Sequence, residues 1–255
     1  MKEFNVCYIV GGEYDHKNDY IEMLNKSLKT LLMFYEVDNL YIIVNKNNID
    51  DLQLDINFNN CKHHYIKYID IDITNNIKYP INSCNSGRIN RTALLKFYIP
   101  YIVECDNIFY FDCDILFVNN LKDTLVKNIS NNCLIKMWDT DFGPNSGLFY
   151  LNCKLYKELN VLKHVEKYYN DNYLTSFYVD QSCFVHLLNT YNDNIVLSKN
   201  DKDNINVHPN FDVNMHPEDI EKFDINLTTG IYHMWGWNKV LFNKIFEKFI
   251  NNKYE

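Results

Sequence analysis

The chain contains 255 residues, of which 47% are hydrophobic, and it carries a formal net charge of -8 at pH 7. A chain of this length can bury a sizeable core, and we expect a single domain spanning residues 1–255. Its only arginines are Arg88 and Arg91, so it offers no basic face for a nucleic-acid backbone, and we expect no nucleic-acid partner.

The cysteines and the apolar runs favour a soluble protein. The eight cysteines are scattered singly, without a C-x-x-C pair or a matched Cys/His spacing, which argues against a zinc module or a disulfide framework. No apolar stretch is long enough to span a membrane, and the N-terminal apolar run contains a glutamate and lacks a small-residue cleavage site. We therefore expect a cytoplasmic protein with reduced thiols.

The first part of the chain alternates between strand and helix patterns. The run "FNVCYIV" at residues 4–10 predicts a buried strand that ends at a pair of glycines, and residues 20–34 have the apolar spacing of a helix. Residues 39–45 and 63–71 predict two further strands. This alternation predicts an α/β fold with a mixed, mostly parallel sheet flanked by helices.

The middle of the chain continues with "RTALLKFYIPYIVE", which predicts a helix that Pro100 kinks or ends, followed by the strand "NIFYFD". We then expect a strand "CLIKMW", a turn "DTDFGPN", a strand "GLFYLN", a helix over residues 154–169 and another helix beginning near Asp180. The last third is predicted to be rich in loops. It closes with a short strand, an aromatic turn and a helix in "GIYHMWGWNKVLFNKIFEKFI".

Four D-x-D triplets occur, and their surroundings differ: Asp70/Asp72, Asp112/Asp114, Asp139/Asp141 and Asp201/Asp203. The first alternates with isoleucines, which predicts the polar face of a half-exposed strand, and the last lies in a charged loop. The second lies within "FYFDCDILF", where apolar flanks predict burial on both faces, so unpaired carboxylates would be costly. A hard cation with phosphate oxygens would neutralise them at the carboxyl end of a strand. Two exposed turn aspartates are the alternative.

Four blocks of the sequence resemble, in order, the glycogenin-like retaining glycosyltransferases of glycosyltransferase family eight. They are the helix, strand and D-x-D block "LLKFYIPYIVECDNIFYFDCDILFVNNLKDTL", the strand "NSGLFYLN", the D-Q motif "YVDQSCF", and "HMWGWNK", which fits an H-x-x-G-x-x-K pattern. The resemblance covers almost the whole chain. It implies a single GT-A (Rossmann-like) domain that transfers a hexosyl group, glucose or galactose, from a UDP-sugar with retention of anomeric configuration.

The resemblance also implies a metal site. Asp112, Asp114 and His233 correspond to the family's ligands for a divalent cation, which is typically Mn²⁺, with Mg²⁺ as the alternative. The cation would stabilise the departing nucleoside diphosphate as a Lewis acid. Lys239 corresponds to a lysine on the diphosphate, and Gly236 lets the backbone approach the phosphates.

Other positions match residues around the transferred sugar. Lys96 falls where the family has an arginine or lysine facing the donor, and Arg91 is a second candidate for phosphate contact. The resemblance implies that Asn145 and Asp180 bind sugar hydroxyls and that the Gln181 amide lies near the anomeric carbon. Asp180 is also a candidate helix N-cap.

The base-stacking tyrosine is less defined, because "GGEYDHKND" is longer than the family's first loop; we favour Tyr14 over Tyr20. The other candidate nucleotide- and sugar-binding residues are Val10, Cys113, Asp139 and Ser146. For Asp139, a structural role in a turn is an equally good interpretation.

The acceptor is left open by the sequence. Protein, glycan and lipid-linked acceptors are all compatible with it, as is a homodimer. Two other functions are also open. A sugar-1-phosphate nucleotidyltransferase should carry a glycine- and arginine-rich signature after the first strand, of which "GGEYDH" is a poor version. A non-catalytic sugar-nucleotide-binding protein could share the fold, because fold alone does not determine activity.

Overall fold

Strands and helices alternate along the chain, as the apolar patterns predict. The computed structural model describes residues 3–11, 17–47, 49–78, 91–140, 143–172, 180–199, 205–206, 230–233 and 239–254. The strands are β1 Asn5–Val10, β2 Val37–Asn45, β3 Cys61–Ile69, β4 Asn107–Phe111, β5 Ile115–Phe117, β6 Ile135–Thr140, β7 Gly143–Asn152, β8 Ile195–Lys199, β9 Ile205–Asn206 and β10 Ile231–His233.

The helices are α1 Lys17–Phe34, α2 Ile99–Ile102, α3 Lys122–Val126, α4 Cys153–Glu158, α5 Val161–Asn172, α6 Gln181–Thr190 and α7 Lys239–Tyr254. In the described part of the chain, three segments form 3₁₀ helices: Ile71–Thr74, Arg91–Tyr98 and Asn192–Asn194. Among the helices described, none combines the length and the apolar character needed to cross a bilayer.

The main sheet has seven strands in the order β3-β2-β1-β4-β7-β6-β8. Pairing is parallel from β3 through β2 and β1 to β4, and again between β6 and β8. Strand β7 runs antiparallel to both of its neighbours, β4 and β6. The sheet is therefore mixed and mostly parallel, which confirms the predicted fold class.

Hydrophobic layers cover both faces of this sheet, which is why β1 is buried along its whole length. Its side chains alternate between the faces. Val6, Tyr8 and Val10 join a cluster that includes residues of α1 and α7, whereas Cys7 and Ile9 join a second cluster with the 3₁₀ helix at 91–98, α5 and α6. The result is a sheet between two helical layers.

A second sheet, in the order β5-β10-β9, follows directly from the D-x-D segment. β5 begins at Ile115, one residue after Asp114, and β10 pairs with it antiparallel so that His233 lies opposite Ile115. The sequence did not predict β5 as a separate strand. Its pairing with β10 brings a histidine from near the C-terminal end of the chain beside the D-x-D carboxylates.

Two predictions of secondary structure need correction. The prediction that Asp70 and Asp72 lie on a strand face is wrong, because β3 ends at Ile69 and the Asp70 side chain accepts a hydrogen bond from the Asp72 N–H at 3.0 Å. Such side-chain capping competes with strand pairing and starts a helical turn. The helix predicted around Pro100 changes type beside this residue: a 3₁₀ helix ends at Tyr98, and Pro100 lies in the first turn of α2, where no N–H is needed. The helix predicted over residues 154–169 is two helices.

The break between α4 and α5 falls at Asn160, which has a left-handed φ of 52°. Asparagine tolerates this conformation better than most residues do.

The predicted turn at residues 139–145 is largely strand, because β6 continues to Thr140 and pairs there with Gly143 of β7. Strand β8, in the region predicted to be loop-rich, pairs in parallel with β6.

The buried Lys136 ties β6 to the end of α3. Its ammonium group donates hydrogen bonds to the carbonyl oxygens of Thr124, Leu125 and Lys127 at 3.0, 3.1 and 2.8 Å. It also lies 4.7 Å from the ring centroid of Trp138. A cation at the C-terminal end of a helix satisfies carbonyls that have no partner within the helix.

Replacing Lys136 by methionine keeps the length of the side chain but removes these donors. Because the carbonyls at the end of α3 would lose a charged, buried partner, we expect the free energy of unfolding to fall by about 2–4 kcal/mol, measured by urea denaturation. The exposed Lys154→Met is the matched control and should cost less than about 0.5 kcal/mol. Similar losses in both variants would contradict this role.

Candidate functional site

The carboxylates of Asp112 and Asp114 lie where β4 ends, as the sequence predicts. The last ladder pair of β4 with β7 is Phe111 with Leu148, and the Asp112 N–H then donates to the carbonyl oxygen of Gly147 at 2.7 Å. Beyond this bond the chain leaves the main sheet and enters β5. The D-x-D segment therefore bridges the two sheets.

His233 completes a triad with these two carboxylates. One ligand atom from each of Asp112, Asp114 and His233 can be chosen so that all three atoms lie within 4.8 Å of one another. The His233 Nε2 atom is 3.2 Å from Oδ1 of Asp114 and 3.7 Å from Oδ2 of Asp112. The buried Oδ1 of Asp114 accepts no hydrogen bond from any residue in the described ranges. Two carboxylate oxygens and an imidazole nitrogen, gathered with one oxygen unsatisfied, fit a divalent cation.

The electrostatics of the triad point the same way. Burial raises the pKa of Asp112, Lys96 opposes the increase and the neighbouring Asp114 adds to it, so that the net shift is upward. Burial would lower the pKa of His233, but the adjacent Asp114 carboxylate outweighs it and the pKa is raised. The raised pKa of His233 reflects the negative charge that Asp114 and Asp112 place beside it. A bound cation would compensate that charge.

Lys96 provides one buried positive charge beside the triad. It lies in the 3₁₀ helix at 91–98, and its Nζ atom is 2.6 Å from Oδ2 of Asp180, 3.1 Å from Oδ1 of Asp112 and 3.1 Å from the carbonyl oxygen of Ser146. Burial would lower the pKa of Lys96, but the two carboxylates raise it well above its usual value. The lysine is therefore a fixed cation that links β4, β7 and the start of α6.

Asp180 lies at the start of α6 and caps it, which is one of the two roles predicted for it; sugar binding stays a prediction. Its carboxylate accepts a hydrogen bond from the Gln181 N–H at 3.0 Å, which caps the helix, and it also pairs with Lys96. Burial would raise its pKa, but Lys96 outweighs this effect and the pKa is lowered. Asp180 is therefore held as an ionised carboxylate that faces the same space as Asp112.

Two residues of β7 line this space from the other side. Asn145 is buried and its Oδ1 accepts a hydrogen bond from the Gly147 N–H at 2.7 Å. The carbonyl of Ser146 faces Lys96, as described above, and its hydroxyl interacts with Asp180. The structure thus brings Lys96, Asn145, Ser146 and Asp180 around the D-x-D carboxylates.

The remaining predicted residues lie in varied positions. Val10 is the buried last residue of β1, and Asp139 lies on β6 opposite Pro144. The Cys113 thiol, between the two carboxylates, turns back into the core and lies 3.3 Å from the carbonyl oxygen of Ile9. Only the backbone of Cys113 can therefore face a ligand on the side of the carboxylates.

The Arg91 guanidinium group is bound to a neighbouring turn. It donates to the Thr74 hydroxyl at 3.1 Å and to the carbonyl oxygens of Thr74 and Ile77 at 2.5 and 3.0 Å. These bonds anchor the 3₁₀ helix at 91–98. Contact between Arg91 and a phosphate stays a prediction. Tyr14 and Gly236 lie outside the described residues, as does the side chain of Lys239, whose backbone begins α7.

Tyr110 belongs to the site but was missed in the sequence. Its hydroxyl donates a hydrogen bond to Oδ1 of Asp112, and its ring centroid is 5.0 Å from Nζ of Lys96. Burial, followed by the Asp112 charge, raises its pKa well above the usual value, so the phenol keeps the proton that it donates. Its position two residues before Asp112 was the available signal, because alternate residues of a strand share a face.

No protein-family model matches this chain, and no curated protein sequence matches it. Solved structures do match. Mouse xyloside xylosyltransferase 1 has 13% sequence identity, a TM-score of 0.61 and a match covering 91% of this chain and 97% of its own. The galactosyltransferase LgtC, in complex with donor and acceptor sugar analogues, has 12% identity, a TM-score of 0.65 and 96% coverage of both chains.

A third match is the glycosyltransferase GlyE of Streptococcus pneumoniae, with 12% identity, a TM-score of 0.57 and coverage of 99% of this chain and 64% of the GlyE chain. At such low identities the similarity establishes the fold. The chain has the α/β fold of the GT-A glycosyltransferases, in agreement with the fold predicted from its sequence.

Removing the Lys96 charge should destabilise the protein strongly. In Lys96→Met the partly buried carboxylate of Asp112 and the buried carboxylate of Asp180 would lose their cation, and we expect a loss of about 3–5 kcal/mol in the free energy of unfolding, measured by urea denaturation. The Lys29–Asp55 pair provides the control, because it is exposed and Lys29→Met should cost less than about 1 kcal/mol.

The deficit of Lys96→Met should also depend on pH. Without the lysine the folded-state pKa of Asp180 is no longer lowered, so the buried carboxylates of the variant take up protons more readily than those of the unfolded chain. The deficit should therefore shrink as the pH falls towards about 3.9, the ordinary pKa of aspartate. A deficit that grows on acidification would contradict the assignment of Lys96.

Proposed function

We propose that this chain is a metal-dependent, retaining glycosyltransferase of the glycogenin-like family eight. It would transfer a hexosyl group, glucose or galactose, from a UDP-sugar to a protein, glycan or lipid-linked acceptor, with residues 1–255 acting as one catalytic domain. The observation that carries the proposal is the convergence of Asp112, Asp114 and His233 at the carboxyl end of a central strand. The site lies in a fold shared with solved xylosyl- and galactosyltransferases.

The triad would hold a divalent cation, with Mn²⁺ as the first candidate and Mg²⁺ as the second. When bound, the cation would supply Lewis-acid stabilisation of the leaving diphosphate. Lys96 adds a positive charge that is already buried and oriented, so it needs little reorganisation when negative charge develops nearby. Lys239, at the start of α7, is the second candidate cation for the diphosphate.

Asp180 would orient the sugar. Lys96 keeps its carboxylate ionised, and bonds to Lys96 and to the Gln181 N–H fix its direction, so it can accept hydrogen bonds from sugar hydroxyls in a defined geometry. Asn145, buried on β7 across the same space, would contribute to the same recognition.

Gln181 is our candidate for the group beside the anomeric carbon. It is the first residue of α6 and follows directly after Asp180. Its amide would steady an oxocarbenium-like centre while the acceptor hydroxyl attacks on the face from which UDP leaves. The departing phosphate would take the hydroxyl proton, so no carboxylate nucleophile is needed. LgtC has been solved with an active-site glutamine replaced by glutamate, which supports a glutamine at this kind of centre.

Incubating the purified protein with Mn²⁺ and a panel of UDP-sugars tests the proposal directly. With UDP-glucose or UDP-galactose we expect UDP to be released, by hydrolysis or by transfer. Nucleotide chromatography measures the UDP, and mass spectrometry of the protein detects self-transfer. Mn²⁺-dependent UDP binding without turnover of any UDP-hexose would instead show a non-catalytic binding protein.

The D-x-D assignment is tested by comparing two aspartates. Asp114→Ala should reduce Mn²⁺-dependent UDP binding by at least about tenfold in calorimetry, because it removes a buried ligand oxygen. Asp72→Ala, in an exposed 3₁₀ turn, should leave that binding unchanged. Equal losses in the two variants would refute the assignment of the second triplet.

A further inference from the structure

Gly147, on β7, lies directly against the triad. A β-carbon built on it would be 2.3 Å from Cε1 and 2.6 Å from Nε2 of His233, and 2.6 Å from Oδ2 of Asp112. All three distances are below 3.0 Å, a separation that real β-carbons essentially never show. Even the smallest side chain at this position would collide with two of the three candidate ligands at once.

Backbone conformation does not explain the glycine. Gly147 has no left-handed φ, and its neighbour Leu148 pairs with Phe111, although the register of β7 against β6 is irregular between Pro144 and Phe149. A φ outside the left-handed region does not by itself require glycine. What the position requires is therefore the empty space beside the imidazole and the carboxylate.

The strand is also fixed at this point. The Gly147 N–H donates to Oδ1 of Asn145 at 2.7 Å, and its carbonyl oxygen accepts from the Asp112 N–H at 2.7 Å. The next residue, Leu148, is fully buried in the core. A side chain at position 147 could not be accommodated by moving β7, so the ligand side chains would have to move instead.

We propose that Gly147 is a positioning residue whose missing side chain lets His233 and Asp112 converge to metal-binding distance. The metal in this inference comes from the proposed function. The steric conflict between position 147 and the side chains of His233 and Asp112 involves only residues of this chain. A methyl group at this position would displace the His233 imidazole by roughly 1.2–1.7 Å to restore an ordinary van der Waals contact. The hydrophobic layers would remain packed, because the collision is confined to the polar end of the sheet.

The test begins with Gly147→Ala in the full chain and two measurements. Calorimetric titration with Mn²⁺ alone should show affinity reduced by about 10–100-fold, as when metal ligands lose their orientation. The crystal structure of the metal-free variant should retain the pairing of β4 with β7 and show the imidazole displaced from Asp114. Unchanged positions of His233 and Asp112 in that structure would overturn the inference, whatever the protein binds.

Gly230→Ala is the matched control. A β-carbon there would meet the Leu121 side chain at 2.2 Å, so the substitution crowds the core near β10 without touching a ligand. It should lower the thermal unfolding midpoint and leave the Mn²⁺ affinity of the folded protein within about twofold of the original. An equal loss of Mn²⁺ affinity in both variants would mean that general disturbance of the fold is responsible and would refute the role of Gly147.

Failure of the proposed function gives a different result. If the unaltered protein binds no Mn²⁺, with or without UDP, the metal-dependent function is wrong. Displacement of His233 in the Gly147→Ala structure would still support the steric role of the glycine in the triad.

Discussion

The negative charge that Asp112 and Asp114 place at the end of β4 is the constraint on which the rest of the site depends. A buried carboxylate is costly unless a positive charge or several hydrogen bonds compensate it. Lys96 and the Tyr110 hydroxyl share Oδ1 of Asp112, whereas Oδ1 of Asp114 lies 3.2 Å from the imidazole nitrogen Nε2 of His233. Burial raises the pKa of Asp112 even though the charge of Lys96 opposes the increase.

The two-sheet architecture produces this arrangement of charges. In the main sheet β4 ends beside β7, and the N–H of the next residue, Asp112, donates a hydrogen bond to β7. The chain then enters β5, which pairs with β10 and so brings His233 alongside. Lys96 reaches the same point from the 3₁₀ helix at 91–98, and Asp180 from the start of α6. Residues far apart in the sequence thus meet where strands end, the usual place for ligands in α/β sheets.

The fold alone does not determine the chemistry, because one fold serves many reactions. The case for sugar transfer therefore depends on the site. A metal-compatible triad, a buried lysine and an ionised aspartate facing the same space suit a ligand that carries a diphosphate at one end and hydroxyls at the other. The buried Lys136, by contrast, is satisfied by backbone carbonyls at the end of α3 and serves the fold.

Local patterns in the sequence were sufficient to predict the existence and type of β1, α1, β2, β4 and α7, because the apolar periodicity of these elements is strong and their ends carry clear signals. The apolar flanks of Asp112 and Asp114 likewise distinguished this triplet from the other three, since burial on both faces of a strand can be read from the residues themselves. Strands β5 and β8 were missed because each is short and defined by its partner. The break at Asn160 depends on a single left-handed residue within a helical pattern.

Residue types and spacing in the sequence thus determined the α/β class and singled out Asp112 and Asp114, because burial and periodicity act over a few neighbouring residues. His233 became a candidate ligand only through the resemblance of its segment to a family motif. The tertiary structure alone decided which partners compensate those carboxylates. The bond from Tyr110, the link from Lys96 to Asp180 and the space left by Gly147 all join residues whose proximity depends on sheet pairing. Electrostatic and steric interactions act through space, and only the folded chain defines those distances.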